Sequence, residues 1–236
     1  MLSRKKIACK DCLNLRCPAR NCSKEHIEML SDKKNQIIIR SREHIFREDT
    51  PILGLYIIQD GKAKVTSSDL NGHEQIIRLA IEGDILGHMG NSEENYGLGA
   101  VALTDIRVCF INNQLLDMAF KANYEFLNSV MRFYSNESKE SELRSRCLSQ
   151  MNVEEKVVFS LLCMSSILGF DTQTGEINVA MGRSEIAALA RTNADQVSRS
   201  ITSLKKLGLI ETVGNRILIK NHKMMRELIS GYGYSL

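Results

Sequence analysis

Five cysteines hold the chemistry that this 236-residue chain can do: Cys9, Cys12, Cys17 and Cys22 in one short basic stretch, and Cys109 far downstream. Thiolates packed this closely hold a metal or form disulfides. Lys10, Arg16 and Arg20 lie among them, and a basic setting favours the reactive thiolate. Nothing marks secretion: the opening MLSRKKIACK is basic but has no apolar core or small-residue cleavage site behind it. No stretch reaches the apolar length that spans a bilayer. The chain therefore reads as cytoplasmic, with no membrane partner, and its clustered cysteines point to metal or redox chemistry. The remaining two, Cys147 and Cys163, fall on helical stretches and read as buried spectators.

Other chemistries find no footing. The phosphate-binding P-loop and the dinucleotide fingerprint are both missing, and no pattern draws Ser, His and Asp together, so the chain does not read as an enzyme. A hydrophobic fraction of 43% and a charged fraction of 25% are those of an ordinary globular protein. The net charge of +3 is too small to argue for nucleic acid, but its distribution says more. Basic residues from Arg4 to Lys24 face only Asp11, and those from Arg183 to Arg226 outnumber the local acids, so two basic ends flank a more neutral middle.

The elements that must position these residues change character along the chain. Between about Gln36 and Val108 short β-favouring runs alternate with tight turns: Leu55–Ile58, Lys62–Ser67 and Glu74–Ala80, separated by Gln59-Asp60-Gly61 and Asp69-Leu70-Asn71-Gly72. Such spacing predicts a small β-barrel or roll, with Val101–Ile111 as a last strand carrying Cys109. From Gln114 to about Ser149 there is no Gly or Pro, and a long helix is expected. Phe126, Val130, Phe133 and Tyr134 form its apolar stripe, which fades into Ser138, Ser141 and Ser145. That stripe either packs on its own domain or makes a weak homodimer seam suited to a switch.

The last third reads as a winged helix-turn-helix. A buried helix over Val153–Leu168 is followed by a short helix at Ser184–Ala190, a break at Arg191-Thr192-Asn193, a second helix over Ala194–Leu207 ended by Gly208, and a hairpin at Ile210–Val213 and Arg216–Lys220. In the second helix Val197, Ile201 and Leu204 repeat at core spacing. Asp195, Ser198, Arg199 and Thr202 are left on the opposite face, where first turns enter a major groove of double-stranded DNA. Lys205, Lys206 and Arg216 are placed for phosphates, which position without specifying.

Ser184-Glu185-Ile186 through Ser198-Arg199, with Leu207-Gly208-Leu209-Ile210-Glu211, resembles the helix-turn-helix of the CRP/FNR transcription regulators. Roll, long helix and winged domain follow in that family's order, from about Glu25 to the C-terminus. The resemblance implies an α+β chain in four parts. A cysteine-rich segment (1–24) leads to a cyclic-nucleotide-binding-like double-stranded β-helix (25–122), a dimerisation helix (123–150) and a winged helix-turn-helix (151–236). It implies that Asp195, Ser198 and Arg199 read bases. The Ser-Arg pair is similar to the FNR branch, which reads palindromic TTGAT-like sites; Asp195 stands where Glu is usual, and Arg191 where the turn usually has Gly.

The Cys9–Cys17 segment is similar to the cluster-binding leader of that branch, and Cys109 matches its distal cysteine. The resemblance thus implies a [4Fe–4S] cluster on Cys9, Cys12, Cys17 and Cys109, with Cys22 a possible substitute. The second cysteine gap is one residue shorter than in that branch. Zinc on Cys9, Cys12, Cys17 and Cys22 is the competing reading, and a metal-free thiol switch a third. A cyclic nucleotide is not expected: Leu86-Gly87-His88-Met89 has His where relatives that bind one have Glu, and Gly97-Leu98-Gly99-Ala100 lacks Arg. His73, His88 and Met89 leave haem as an option. The expectation is an oxygen- or nitric-oxide-responsive regulator, with the hairpin tip Ser67–His73 touching RNA polymerase.

Overall fold

The computed structural model describes residues 6–69, 72–88 and 94–234; Leu70 and Asn71 of the expected turn, and Met89, lie outside the described residues. Contacts gather the chain into two units. One runs to Ser68 and resumes over Ala80–Ser138; the other comprises Asp69–Leu79 and everything from Lys139 onward.

In the first unit, two single 3-10 turns (Cys9–Asp11 and Pro18–Asn21) precede helix α1 (Lys24–Lys33). Its strands are β1 (Asn35–Ile39), β2 (His44–Phe46), β3 (Gly54–Asp60), β4 (Ala63–Ser68), β6 (Ile85–Leu86), β7 (Gly99–Ala102) and β8 (Ile106–Asn112), while β5 (Glu74–Ala80) falls, up to Leu79, in the other unit. They form two four-stranded sheets, ordered β1-β8-β3-β6 and β2-β7-β4-β5. The strands β3 and β8 are buried on both faces, which is why Leu55–Ile58 of β3 reads as an unbroken apolar run and β8 as an apolar run broken by Arg107. Ile58, Ile106 and Val108 point into the roll, against Phe46 and Tyr96. On the outer face Leu55, Ile57, Cys109 and Ile111 meet Leu30 of α1 and Leu115, Leu116 and Ala119 of α2 (Asn113–Ala122).

Three expectations need correction here. The segment Val101–Ile111 is two strands in two different sheets rather than one. Its corner is held by Ser41, whose hydroxyl donates to the Leu103 carbonyl and whose N–H donates to Asp105, and by the Lys62 N–H on the Thr104 hydroxyl. The long helix is also divided, into α2 and α3 (Tyr124–Gln150). Asn123 breaks it: the backbone is extended there, and its side chain accepts from the Phe126 N–H at 3.1 Å, as an N-cap does.

The third correction concerns the dimer seam. Phe126 and Val130 are 0% and 2% exposed, filled into the first unit's own outer core, and Phe133 and Tyr134 pack against the same cluster. Phe126 and Val130 therefore have no surface left for a partner, whereas Phe133 and Tyr134 are only partly buried. Ser138 and Ser141 are exposed, and so are Tyr124 and Met131, at 72% and 59%.

The second unit contains α4 (Val153–Leu168), α5 (Arg183–Ala190), α6 (Ala194–Lys206), the hairpin β9 (Ile210–Val213) and β10 (Arg216–Ile219), and α7 (His222–Leu228). Asn152 and Glu155 close a reciprocal capping box at the start of α4. Asn193 caps α6 by accepting from the Gln196 N–H at 2.9 Å. Between α5 and α6 Arg191 turns left-handed (φ 51°), which lets the second helix cross the first in three residues. Helices α1 and α7 were not anticipated, because neither carries a continuous apolar stripe. Among the described residues, no helix is long and apolar enough to cross a membrane.

Candidate cofactor centre and nucleic-acid interface

The roll's outer face carries the cysteine site. In β8, Cys109 stands directly opposite Ile57 of β3, and the ladder register shifts between Ile58 and Asp60, placing a bulge at Gln59. The leader folds over this face. Its backbone is tied down by Ile7 N–H on the Gln36 side chain (2.8 Å) and by Cys9 N–H on the Ser31 hydroxyl (2.9 Å). Further along, Asn14 donates to the Ile58 carbonyl (2.9 Å), and the Arg16 guanidinium meets Asp84 at 3.3 Å. Arg20 donates to the carbonyls of Asn14 and Cys12, closing the loop between the two turns.

One cavity results, lined by Cys9, Cys12, Cys17 and Cys109 with an apolar wall of Ile27, Leu30, Ile57 and Ile111. Cys22 does not line it; that thiol packs instead against the outer core. The four sulfurs brought together are thus three local and one remote. Burial pushes the Cys17 thiol up to about 12, against the opposing pull of a backbone hydrogen bond from Ala19. Burial also raises Cys109, partly offset by the nearby Lys34 charge and a Gln36 hydrogen bond. Thiols so raised are protonated at neutral pH, so a metal or cluster must displace their protons to bind.

Three polar side chains that sequence reasoning passed over face these sulfurs. Lys34 Nζ donates to Cys9 Sγ at 3.0 Å, Gln59 Nε2 to Cys12 Sγ at 3.5 Å, and Gln36 Nε2 lies 3.8 Å from Cys109 Sγ. All sit on or beside strands that read as surface-polar positions. No local signal marks them: Lys34 and Gln36 lie in the polar stretch Asp32–Gln36 ahead of Ile37-Ile38-Ile39. Burial alone lowers the Lys34 pKa, but the facing thiols of Cys109, Cys9 and Cys12 outweigh it and hold the group above the ordinary lysine value.

Among the described residues no three His, Cys, Asp or Glu side chains converge as ligands of a single ion. The four thiols instead line one cavity at separate points, with hydrogen-bond donors behind them, and four cysteines are the donor set that an iron–sulfur cluster prefers. Of the two histidines in the haem reading, His73 pairs with Asp69 at 3.0 Å, and the His88 ring lies 5.7 Å from that of Tyr96. Gly87 lies against Tyr96 and Phe46, whose rings sit 4.4 Å apart in the roll interior.

In the second unit α6 presents the anticipated face. Val197, Ile201 and Leu204 are buried, while Asp195, Ser198, Arg199, Thr202, Lys205 and Lys206 are exposed. Ser198 and Thr202 turn their hydroxyls back onto the carbonyls four residues earlier, at 2.8 and 2.9 Å. Arg216 on the wing is engaged by Glu176, with both carboxylate oxygens near 3.0 and 3.1 Å.

A β-roll, a long helix and a winged helix-turn-helix combine a ligand-binding type of domain and a DNA-binding type of domain in one chain. Residues 36–123 match the family model of the cyclic nucleotide-binding domain, and residues 155–228 that of the Crp-like helix-turn-helix domain. The anaerobic regulatory protein of Pasteurella multocida is 26% identical over 227 residues, 94% of this chain and 82% of that protein. Electron transport regulator A of Shewanella oneidensis is 27% identical over 221 residues, 92% and 88%. The fumarate and nitrate reduction regulatory protein of Vibrio cholerae is 26% identical over 231 residues, 94% and 90%. Among solved structures, FixK2 from Bradyrhizobium japonicum superposes with a TM-score of 0.72 at 21% identity, covering 86% of this chain and 98% of that one. The chain belongs to the CRP/FNR family, in its FNR-like branch, and is a DNA-binding transcription regulator rather than an enzyme.

Proposed function

We propose that the protein is an oxygen- or nitric-oxide-responsive cytoplasmic regulator in which a [4Fe–4S] cluster on Cys9, Cys12, Cys17 and Cys109 controls homodimerisation and binding to a palindromic TTGAT-like site. The observation that supports this best is the shared cavity: three leader thiols and one strand thiol meet there, and Cys22 stays out. Zinc on Cys9, Cys12, Cys17 and Cys22 would need Cys22 inside that ring. No haem or cyclic nucleotide is proposed.

When bound, an iron–sulfur group supplies a centre that oxygen or nitric oxide can attack. Cys9, Cys12 and Cys17 fasten the leader to Cys109 on β8. Gln59 and Gln36 orient two of the sulfurs, and Ile27, Leu30, Ile57 and Ile111 keep water from the apolar side. Cys109 shares its core cluster with Phe126 and Val130, so strain at the thiols reaches the first turns of α3 through packed side chains. The partner face on α3 is its exposed side, with Tyr124, Met131, Ser138 and Ser141. This replaces the buried Phe126 stripe. Few large apolar groups stand there, so pairing is weak and a small bias decides it.

In a dimer, the α6 helices enter successive major grooves about 34 Å apart. Asp195, Ser198 and Arg199 read bases, Thr202 lines the groove, and Lys205 and Arg216 hold phosphates. The hairpin over residues 67–73 contacts RNA polymerase.

Oxygen-free purification followed by iron and sulfide analysis tests the proposal. About four of each per chain, with DNA binding lost on exposure to air, is the expected result. Colourless protein that binds its operator equally with and without oxygen would overturn it.

A further inference from the structure

We infer that Lys34 is the built-in counter-cation of the cysteine cavity, a fixed positive charge that helps retain the anionic thiolate-bound group. This rests on the reading of the cavity as a cluster site.

Lys34 is 4% exposed, and long charged side chains are almost never buried so fully without a partner of opposite sign. Among the described residues no Asp or Glu forms an ion pair with it. Its ammonium is directed instead at sulfur, 3.0 Å from Cys9 Sγ, and it lines the same cavity as Cys12, Cys17 and Cys109. The other cation in that lining, Arg20, is committed to the backbone carbonyls of Asn14 and Cys12. Lys34 is therefore the cation that faces the thiols.

The charge has a use only when the thiols are ionised. Four thiolates carry more negative charge than a cluster core or a divalent ion cancels, so the bound group is a net anion. Enclosed in a low-dielectric cavity, that anion is held more firmly beside a fixed cation than beside a neutral side chain. In the metal-free protein the thiols offer the same ammonium a hydrogen-bond acceptor but no counter-charge comparable to that of the bound group. Removing the charge should therefore weaken retention of that group without destabilising the metal-free fold to match, which a purely structural lysine would not produce.

The full-length protein, reconstituted with ferrous iron and sulfide under oxygen-free conditions, carries the test. Lys34→Met should lose iron to a ferrous chelator about tenfold faster than the unaltered protein. Its metal-free form should melt at the same or a higher temperature. Lys34→Arg, which keeps the charge, should release iron near the original rate, and Lys34→Gln serves where the methionine variant does not fold. Equal iron retention in Lys34→Met, or a metal-free melting temperature lowered in step with retention, overturns the inference while leaving the cluster reading intact. Failure of the unaltered protein to take up iron and sulfide removes the cluster reading, and this inference with it.

Discussion

Gln36 and Cys109 are direct cross-strand partners in the β1–β8 ladder, and the same Gln36 amide also donates to the Ile7 carbonyl at 2.9 Å and to Gln59 at 2.8 Å. One side chain thereby joins the leader, the first strand, the bulge of β3 and the remote thiol. Replacing Gln36 by Leu keeps the strand but removes these links. Trypsin should then cut after Lys10 or Arg16 markedly faster than in the parent, read by mass spectrometry of timed digests. Unchanged digestion would mean that the leader is held elsewhere.

The cavity separates the cysteines into members and a bystander. Cys22→Ser should keep its full complement of iron and sulfide after oxygen-free reconstitution, whereas Cys109→Ser should lose it with its circular dichroism intact. The reverse ranking would favour a compact site within the leader.

Phe126 and Met131 lie on different sides of α3, and their variants should fail differently. Phe126→Ala removes a fully buried ring from the first unit and should lower stability by about 3–5 kcal/mol in thermal unfolding. Met131→Glu alters an exposed position and should leave melting almost unchanged, while shifting dimer to monomer in sedimentation. A Met131→Glu protein that still forms dimers would place the partner face elsewhere.

DNA contacts divide by type. Arg199→Ala should cost about 1–3 kcal/mol and relax preference at one base pair, whereas Lys205→Ala should weaken all sequences alike and reduce the salt slope by about one. On the wing, Glu176 holds Arg216, the residue proposed to contact phosphate. Glu176→Gln should therefore tighten non-specific binding at low salt in fluorescence anisotropy, and the gain should vanish as salt is raised.

Burial pushes the Cys163 thiol up to about 12, against a lowering contribution from Arg144, while its unfolded value is near 9.0. The folded state thus holds this proton more tightly. Its contribution to stability is complete below pH 9 and is lost as pH rises from about 9 to about 12. Cys163→Ala should show a shallower decline in melting temperature across that window than the parent, whatever its absolute stability.

The roll, the winged domain and the exposed polar face of α6 were legible because period-two and period-3.6 patterns, Gly turns and caps all agreed there. The leader cysteines stood out by type and spacing, whereas Cys109 was singled out by the resemblance to the FNR branch. What escaped had physical causes. Leu103-Thr104-Asp105 has no glycine, so the corner between β7 and β8 looked like continuous strand; hydrogen bonds from Ser41 and Lys62 make it. The apolar stripe of α3 was correctly seen, but periodicity cannot say whether it meets its own sheet or a second chain. Lys34, Gln36 and Gln59 read as solvated strand positions because nothing local reveals that a distant leader lies over them.

That leader is also pinned by bonds in which sulfur takes no part: Cys9 through its backbone on Ser31, Asn14 on Ile58, Arg16 on Asp84. Losing whatever the thiols grip would slacken the arm between these anchors without setting it adrift. Recovery after an insult is then a matter of refilling a seat, with no search for it, and a cell returning to its earlier atmosphere could re-arm the molecule it already has.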